Sequence, residues 1–310
     1  MNRSKRFPAC VLATVVVPWT AEGQVQEALF RDEIRSMLRG GFRRLYVFGT
    51  AGEGYAVNEA LFEQITRMFV DEMRAGEAEP MVGVISLSLA TILERIAFAH
   101  DHLGVNHFQI SLPGWGALEP AEVRSFFDEV LGRFADCQFL HYNLLRTKRL
   151  VTAAEYACVA LDHPNLVATK NSTDSMTRVR ELIDGAPTLQ HFLNERGFAY
   201  GSLIGECGLL ASIATLNWRL ALRYFEVGHA RDVNELLRME AELSRIGAEF
   251  AECVGGGATH IDGAYDKALY RLHEPSFPLR LLPPYAGADP KNLDRFREWL
   301  REHYPRWAAE

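Results

Sequence analysis

Cysteine is scarce in this chain. Only five occur in 310 residues (Cys10, Cys137, Cys158, Cys207 and Cys253), and no two form a Cys-x-x-Cys pair. An odd, scattered set excludes a disulfide scaffold and a thiolate zinc site, and it fits a reduced compartment. An excess of positive charge is also missing. Lys and Arg number 33 against 40 Asp and Glu, a formal net charge of −7. With no basic patch interleaved with aromatics, a general nucleic-acid footprint is excluded. No apolar run approaches the ~20 residues a membrane-crossing helix needs. The stretch Phe7 to Trp19 follows Arg3, Lys5 and Arg6 in the manner of a secretory signal. Pro8 and Pro18 bracket it, however, its centre Thr14-Val-Val-Val17 is β-branched, and no small-x-small site follows. A first buried strand is the expectation, in a cytoplasmic protein.

Apolar residues make up 48% and charged residues 24% of the chain, enough for a substantial core. Short apolar runs recur at residues 10–17, 45–48, 81–85, 107–112, 138–141, 166–169, 189–193 and 208–213. Longer amphipathic stretches lie between them, and that alternation reads as βα units around a parallel sheet. Eight units in residues 1–229 predict a (β/α)8 TIM barrel that carries the active site. A doubly wound open sheet is the competing reading, but the first turn, Pro18 to Gly23, lacks a Gly-x-Gly-x-x-Gly. From residue 230 to 310 the strands stop. Helices are predicted over 231–251, 261–272 and 290–303, an all-helical C-terminal appendage. Its joints are Gly255-Gly-Gly257, read as a connector, and the proline-rich segment Pro275 to Pro284, expected to pack rather than react.

In a barrel, chemistry sits at the C-terminal ends of the strands. The second run is followed by Gly49-Thr-Ala-Gly-Glu-Gly54, the fifth by Tyr142 and the sixth by Lys170. Burial of an ammonium is costly and depresses its pKa, which leaves an amine nucleophilic towards carbonyls. The glycines around Thr50 and Ala51 let backbone N–H groups approach a carboxylate, and a phenol suits proton transfer. Each residue also has a bland reading: a turn, a rim aromatic and a salt-bridge donor. Glu195 follows the seventh run, either as a lining group or as a solvated loop glutamate. His100 and His102 are two residues apart on a helix and do not share a face, so no metal site is expected.

Gly49-Thr50-Ala51-Gly52-Glu53 resembles the Gly-Thr-Thr-Gly-Glu signature of the dihydrodipicolinate synthase and N-acetylneuraminate lyase superfamily. Tyr142-Asn143 with Arg146-Thr147 is similar to its tyrosine motif. Ala168-Thr-Lys170 with Ser172-Thr-Asp174 is similar to its Schiff-base lysine motif, and the Tyr142–Lys170 spacing also fits. The resemblance covers nearly the whole chain. It implies that pyruvate, or another 2-oxo acid, condenses with Lys170, and that the covalent imine serves in place of a cofactor or metal. Tyr142 and Thr50 would act with Lys170 in catalysis. Thr50, Ala51, Gly52, Arg146, Trp115 and Ser212 would bind substrate, and an aldehyde or sugar acid would be the second partner. A homo-oligomer, tetramer or dimer, is implied in the same way.

Three departures stand beside the matches. Ala51 replaces the second threonine of the signature. In the loop Leu112-Pro-Gly-Trp-Gly116, Trp115 stands where the synthases carry a relay tyrosine, and an indole donates one hydrogen bond without relaying a proton. The tyrosine motif is one residue shorter than the synthase form, so Arg146 need not hold a second substrate's carboxylate. The expectation is a Schiff-base lyase, an aldolase or a dehydratase of a 2-keto-3-deoxy acid. The alternatives are dihydrodipicolinate synthase itself, or a paralogue that binds 2-oxo acids without turnover.

Overall fold

The computed structural model describes residues 5–255 and 261–308. Eight strands, β1 (Val11–Thr14), β2 (Arg44–Val47), β3 (Met81–Gly83), β4 (His107–Ile110), β5 (Gln138–Asn143), β6 (Leu166–Asn171), β7 (Gln190–Leu193) and β8 (Gly208–Ala211), pair in chain order. All pairs are parallel, and β8 returns to β1 to close the barrel. The helices between them are α1 (Glu27–Arg39), α2 (Glu59–Ala75), α3 (Leu89–Ala97), α4 (Pro120–Arg133), α5 (Ala153–Asp162), α6 (Met176–Gly185), α7 (Glu195–Ile204) and α8 (Trp218–Ala230). Three more follow, α9 (Val233–Gly255), α10 (Asp262–Arg271) and α11 (Pro290–His303). The (β/α)8 TIM barrel with a C-terminal helical segment is thus the observed fold.

Local chemistry explains the punctuation. Side chains of Asn58, Ser88, Ser175, Asn194 and Asn217 each accept a backbone N–H at the start of α2, α3, α6, α7 and α8. Thr152 and Glu155 form a reciprocal capping box at α5, and such caps each stabilise by about 1 kcal/mol. Outward strand residues bury against the helices. Inward ones, among them Leu12, Tyr46, Met81, Leu140, Ala168 and Phe192, fill the barrel. Phe7 plugs the N-terminal end, its ring 5.9 Å from both His107 and Phe192. Lys5 and Arg6, basic residues ahead of the first apolar run, donate to the carbonyls of Leu189 (2.9 Å) and Ala160 (2.7 Å) and tie the chain to the barrel floor.

The structure alters the reading of β5 and β6, which run on to Asn143 and Asn171. Tyr142 and Lys170 therefore lie within the ladder, not after it. A register shift sets them opposite each other: Phe139 pairs with Leu166 but Leu140 with Ala168, so Val167 is an extra residue. That offset pairs Tyr142 with Lys170, and cross-strand partners share a face, here the inner one.

One buried carboxylate ties α10 and the proline-rich segment to the barrel mouth. Glu53, fully buried in the loop after β2, accepts from Trp19 Nε1 (2.7 Å), Lys267 Nζ of α10, and the backbone N–H of Leu282 (2.7 Å). The proline-rich segment packs as expected, with Leu279, Leu281 and Leu282 buried. Gly256 and Gly257 of the expected glycine joint lie outside the described residues.

Candidate active site

A cavity of about 740 Å³ opens at the C-terminal ends of the strands. Lys170, only 3% exposed, projects into it from β6. Its Nζ donates to the Tyr46 hydroxyl at 2.7 Å and lies 3.8 Å from the centre of the Tyr142 ring and 4.5 Å from that of Tyr46. Burial lowers its pKa to about 7, while Asp262 and Asp266 pull the other way. Near neutral pH much of the amine is therefore unprotonated, which an ordinary lysine achieves only near pH 10.

Burial and the charge of Asp262 push the Tyr142 phenol up to about 12, opposed by the hydroxyls of Thr50 and Ser172 that face it. A phenol with that pKa keeps its proton and can donate it. Thr50, buried at the loop after β2, also donates to Asp262 of α10. Neither the Thr50 nor the Ala51 backbone N–H donates to an acceptor among the described residues, and both residues line the cavity. Loop Gly49–Gly54 is tightly packed. Phe48 has a φ of 62°, so its carbonyl turns back against the barrel, where a Cβ on Gly83 or Gly54 would come within 2.3 or 2.5 Å of its oxygen. Gly52 is a packing residue too. It is absent from the cavity wall, and a Cβ there would meet Phe48 N at 2.9 Å and Val15 O at 3.1 Å.

Other expected residues fall out differently. Arg146 lines the cavity, but its guanidinium is engaged by Asp262 at 3.3 Å. Trp115 is not among the residues lining the cavity. Its side chain is 81% exposed, and its carbonyl is held by Lys148 Nζ on the outer surface. The loop after β4 packs on the loop after β5, where a Cβ on Gly114 would meet the Arg146 carbonyl at 2.9 Å, and the expected substrate contact of Trp115 is not made from the wall of this cavity. Ser212 lies at the cavity edge, with its N–H donating to Glu195 Oε1 at 2.7 Å. Glu195 also accepts from Ala214 N at 3.0 Å, so it is a buried anchor for the loop after β8 and not a solvated glutamate. Asn143 pins the loop after β5 by accepting from Val151 N and donating to Val151 O, both at 2.9 Å.

Residue-by-residue reading missed Tyr46, Asp262 and Asp266. Tyr46 sits inside β2, where only period-two alternation marks it as inward. Asp262 and Asp266 are four apart on α10, a spacing that puts both carboxylates on one helix face. Nothing in a barrel-only logic brings that helix to the mouth. A cluster of His100, Asp136 and Cys137 has metal-ligand spacing. It lies away from the cavity, its histidine already bridges Asp101 and Asp136, and burial pushes the Cys137 thiol up to about 12.

Comparison with known proteins agrees with this geometry. The 4-hydroxy-tetrahydrodipicolinate synthase of Exiguobacterium sibiricum is 24% identical over 173 residues, 56% of this chain and 58% of that protein. The match thus spans little more than half of that relative's length. A pyruvate complex of an E. coli K12 prophage protein of the dihydrodipicolinic acid synthase family superposes with a TM-score of 0.83, at 16% identity over 95% of this chain and 98% of that one. N-acetylneuraminate lyase from Fusobacterium nucleatum gives 0.80 at 14% identity, over 94% and 97% of the two chains. A family model matches residues 8–240, and the chain belongs to the dihydrodipicolinate synthetase family.

Proposed function

We propose that this protein is a Schiff-base lyase, an aldolase or dehydratase, acting on pyruvate or a 2-keto-3-deoxy acid through an imine on Lys170. The observation that carries the reading is the buried Lys170 amine at the cavity floor, held by Tyr46 at 2.7 Å with its pKa near 7. The neutral amine attacks the C2 carbonyl. Tyr142 donates the proton that lets the carbinolamine lose water, and the protonated imine then draws electrons from C3 so that a bond there can form or break. The N–H groups of Thr50 and Ala51 hold the carboxylate, with the Thr50 hydroxyl beside Tyr142. Ser212 edges the same pocket. The imine stands in for a cofactor, and no metal is invoked. The E. coli neighbour's bound pyruvate supports the 2-oxo acid as first substrate.

The synthase reaction is the alternative, favoured by the activity named for the Exiguobacterium relative. The ion pair between Arg146 and Asp262 weighs against it, because the cation that would hold a second carboxylate is already neutralised. The replacement at Ala51 favours a binding-only paralogue. Turnover separates the three. Pyruvate release from a panel of 2-keto-3-deoxy acids, or their dehydration, is expected. Steady condensation of pyruvate with aspartate semialdehyde would restore the synthase, and thermal stabilisation by 2-oxo acids without any product would favour the paralogue. We further propose a barrel unit at residues 1–229, a helical unit at 230–310, and a cytoplasmic homo-oligomer, tetramer or dimer, which light scattering would test.

A further inference from the structure

Five charged groups that line the Lys170 cavity come from outside its own strand: Arg146, Arg178, Glu195, Asp262 and Asp266. Four already have partners, Arg178 by donating to the Val151 carbonyl at 3.1 Å. Arg146 and Asp262 pair with each other, Asp262 also accepts from Thr50, and Glu195 accepts from Ser212 and Ala214. Asp266 accepts no hydrogen bond from any described residue. Its position follows from the barrel. Lys170 Nζ crosses the interior from β6 to Tyr46 on β2, and Tyr46 is the register partner of Thr14 on β1. Thr14 and Asp266 line the main cavity together. The Asp266 carboxylate therefore opens on the cavity that holds the Lys170 amine, near enough for the two charges to act on each other.

Thr14 and Asp266 also line a second, separate cavity of about 20 Å³ with Glu33, Thr215, Trp218, Tyr270 and His273. That volume admits one water. Glu33 is 1% exposed; its Oε1 accepts from Val16 N at 2.7 Å, and its Oε2 has no partner. A buried oxygen left without a partner is costly unless it serves something. Burial pushes the Glu33 carboxyl well above the usual carboxylate range, against the pull of Val16 and Lys267. An outer groove of about 560 Å³ lies on the far side of the same residues, Trp218, Tyr270 and His273, which line both spaces.

We propose that Asp266 moves the C3 proton of the Lys170-bound 2-oxo acid, and that Glu33 exchanges that proton with solvent through the small cavity. This rests on the Schiff-base reading above. The Asp266 carboxylate takes a proton from C3. The C3–H electron pair becomes the C2=C3 bond, and the C2=N pair returns to nitrogen as a lone pair, giving the enamine and a neutral Asp266. The same proton returns to C3, or, when an aldehyde carbon is bound at C3 instead, passes through one water to the unpartnered Oε2 of an ionised Glu33, which then releases it to solvent. No oxidant or further reactant is needed. Asp262, Lys170 and Glu195 face Asp266, and burial with the nearby Asp262 raises its pKa to about 7, matched to proton transfer at neutral pH.

The test is deuterium exchange into the methyl group of pyruvate, followed by proton NMR in D2O with no aldehyde present, paired with borohydride trapping of the imine. Asp266→Asn is expected still to trap pyruvate on Lys170 while exchanging at least ~100-fold more slowly. Glu33→Gln, which keeps the acceptor for Val16, is expected to slow exchange about 10-fold with trapping unchanged. Asp266→Ser supplies a smaller second variant. Wild-type exchange in either Asp266 variant, or loss of trapping in both, would overturn the assignment of the C3 proton. Undiminished exchange in Glu33→Gln would overturn the relay. Failure of the wild-type protein to trap any imine would instead remove the Schiff-base reading on which both depend.

Discussion

The attachment of α10 to the barrel yields the most quantitative expectation. Glu53 and Lys267 are both fully buried, and Glu53 accepts three hydrogen bonds, from Trp19, Lys267 and Leu282. In Glu53→Gln the volume is kept, but the amide has one acceptor oxygen and turns an NH2 towards a donor. One donor is then unmatched, at about 1–3 kcal/mol, and the Lys267 ammonium loses its counter-charge. Removing one member of a buried pair costs about 3–5 kcal/mol in total. Lys267, already lowered to about 8 by burial against the pull of Glu53, can shed its proton, which keeps the cost towards the lower figure. At about 2 °C per kcal/mol for a chain of this size, the melting temperature should fall by roughly 6–8 °C. Lys267→Met should also destabilise, and the double variant should lose less than the sum of the two by about 1.5–3 kcal/mol. Calorimetry on the four proteins measures this. Single costs that simply add, within about 0.5 kcal/mol, would refute the coupling and the clamp.

Other expectations follow from single groups. The rate of imine formation with pyruvate should rise with pH through about 7, where Lys170 loses its proton, and level off well below the pH of an ordinary lysine. Tyr46→Phe removes the acceptor of the Lys170 ammonium, worth about 1 kcal/mol. It should shift that profile roughly 0.7 pH units to the acid side, because the charged form loses its partner. Gly83→Ala drives a methyl against the Phe48 carbonyl and should destabilise by about 1–3 kcal/mol in denaturant unfolding; an unchanged midpoint would remove the argument for tight packing there.

Much of this architecture was legible in the sequence, because a strand buried on both faces must be apolar and leaves a run that stands out between amphipathic helices. Lys170 and Tyr142 were visible as polar residues closing such runs. Their true setting was not, since the extra residue at Val167 that aligns them is a register property with no sequence mark. Tyr46 was hidden by being an aromatic in a strand, where packing is its usual role. Asp262 and Asp266 were hidden by distance along the chain: a helix some ninety residues after Lys170 in the sequence (262 − 170 = 92) closes over the barrel mouth, held by Glu53. Trp115 was legible as an aromatic of the loop after β4, but sequence order does not say which way a loop side chain faces, and here the indole is exposed.

The central claim is that Lys170 forms the covalent bond. Peptide-resolved mass spectrometry after incubation with pyruvate and borohydride tests it most directly. One reduced pyruvate on the peptide carrying Lys170, absent in Lys170→Ala and at the other lysines, is the predicted result. Full thermal stabilisation by pyruvate with no adduct on that peptide, or an adduct elsewhere, would contradict it.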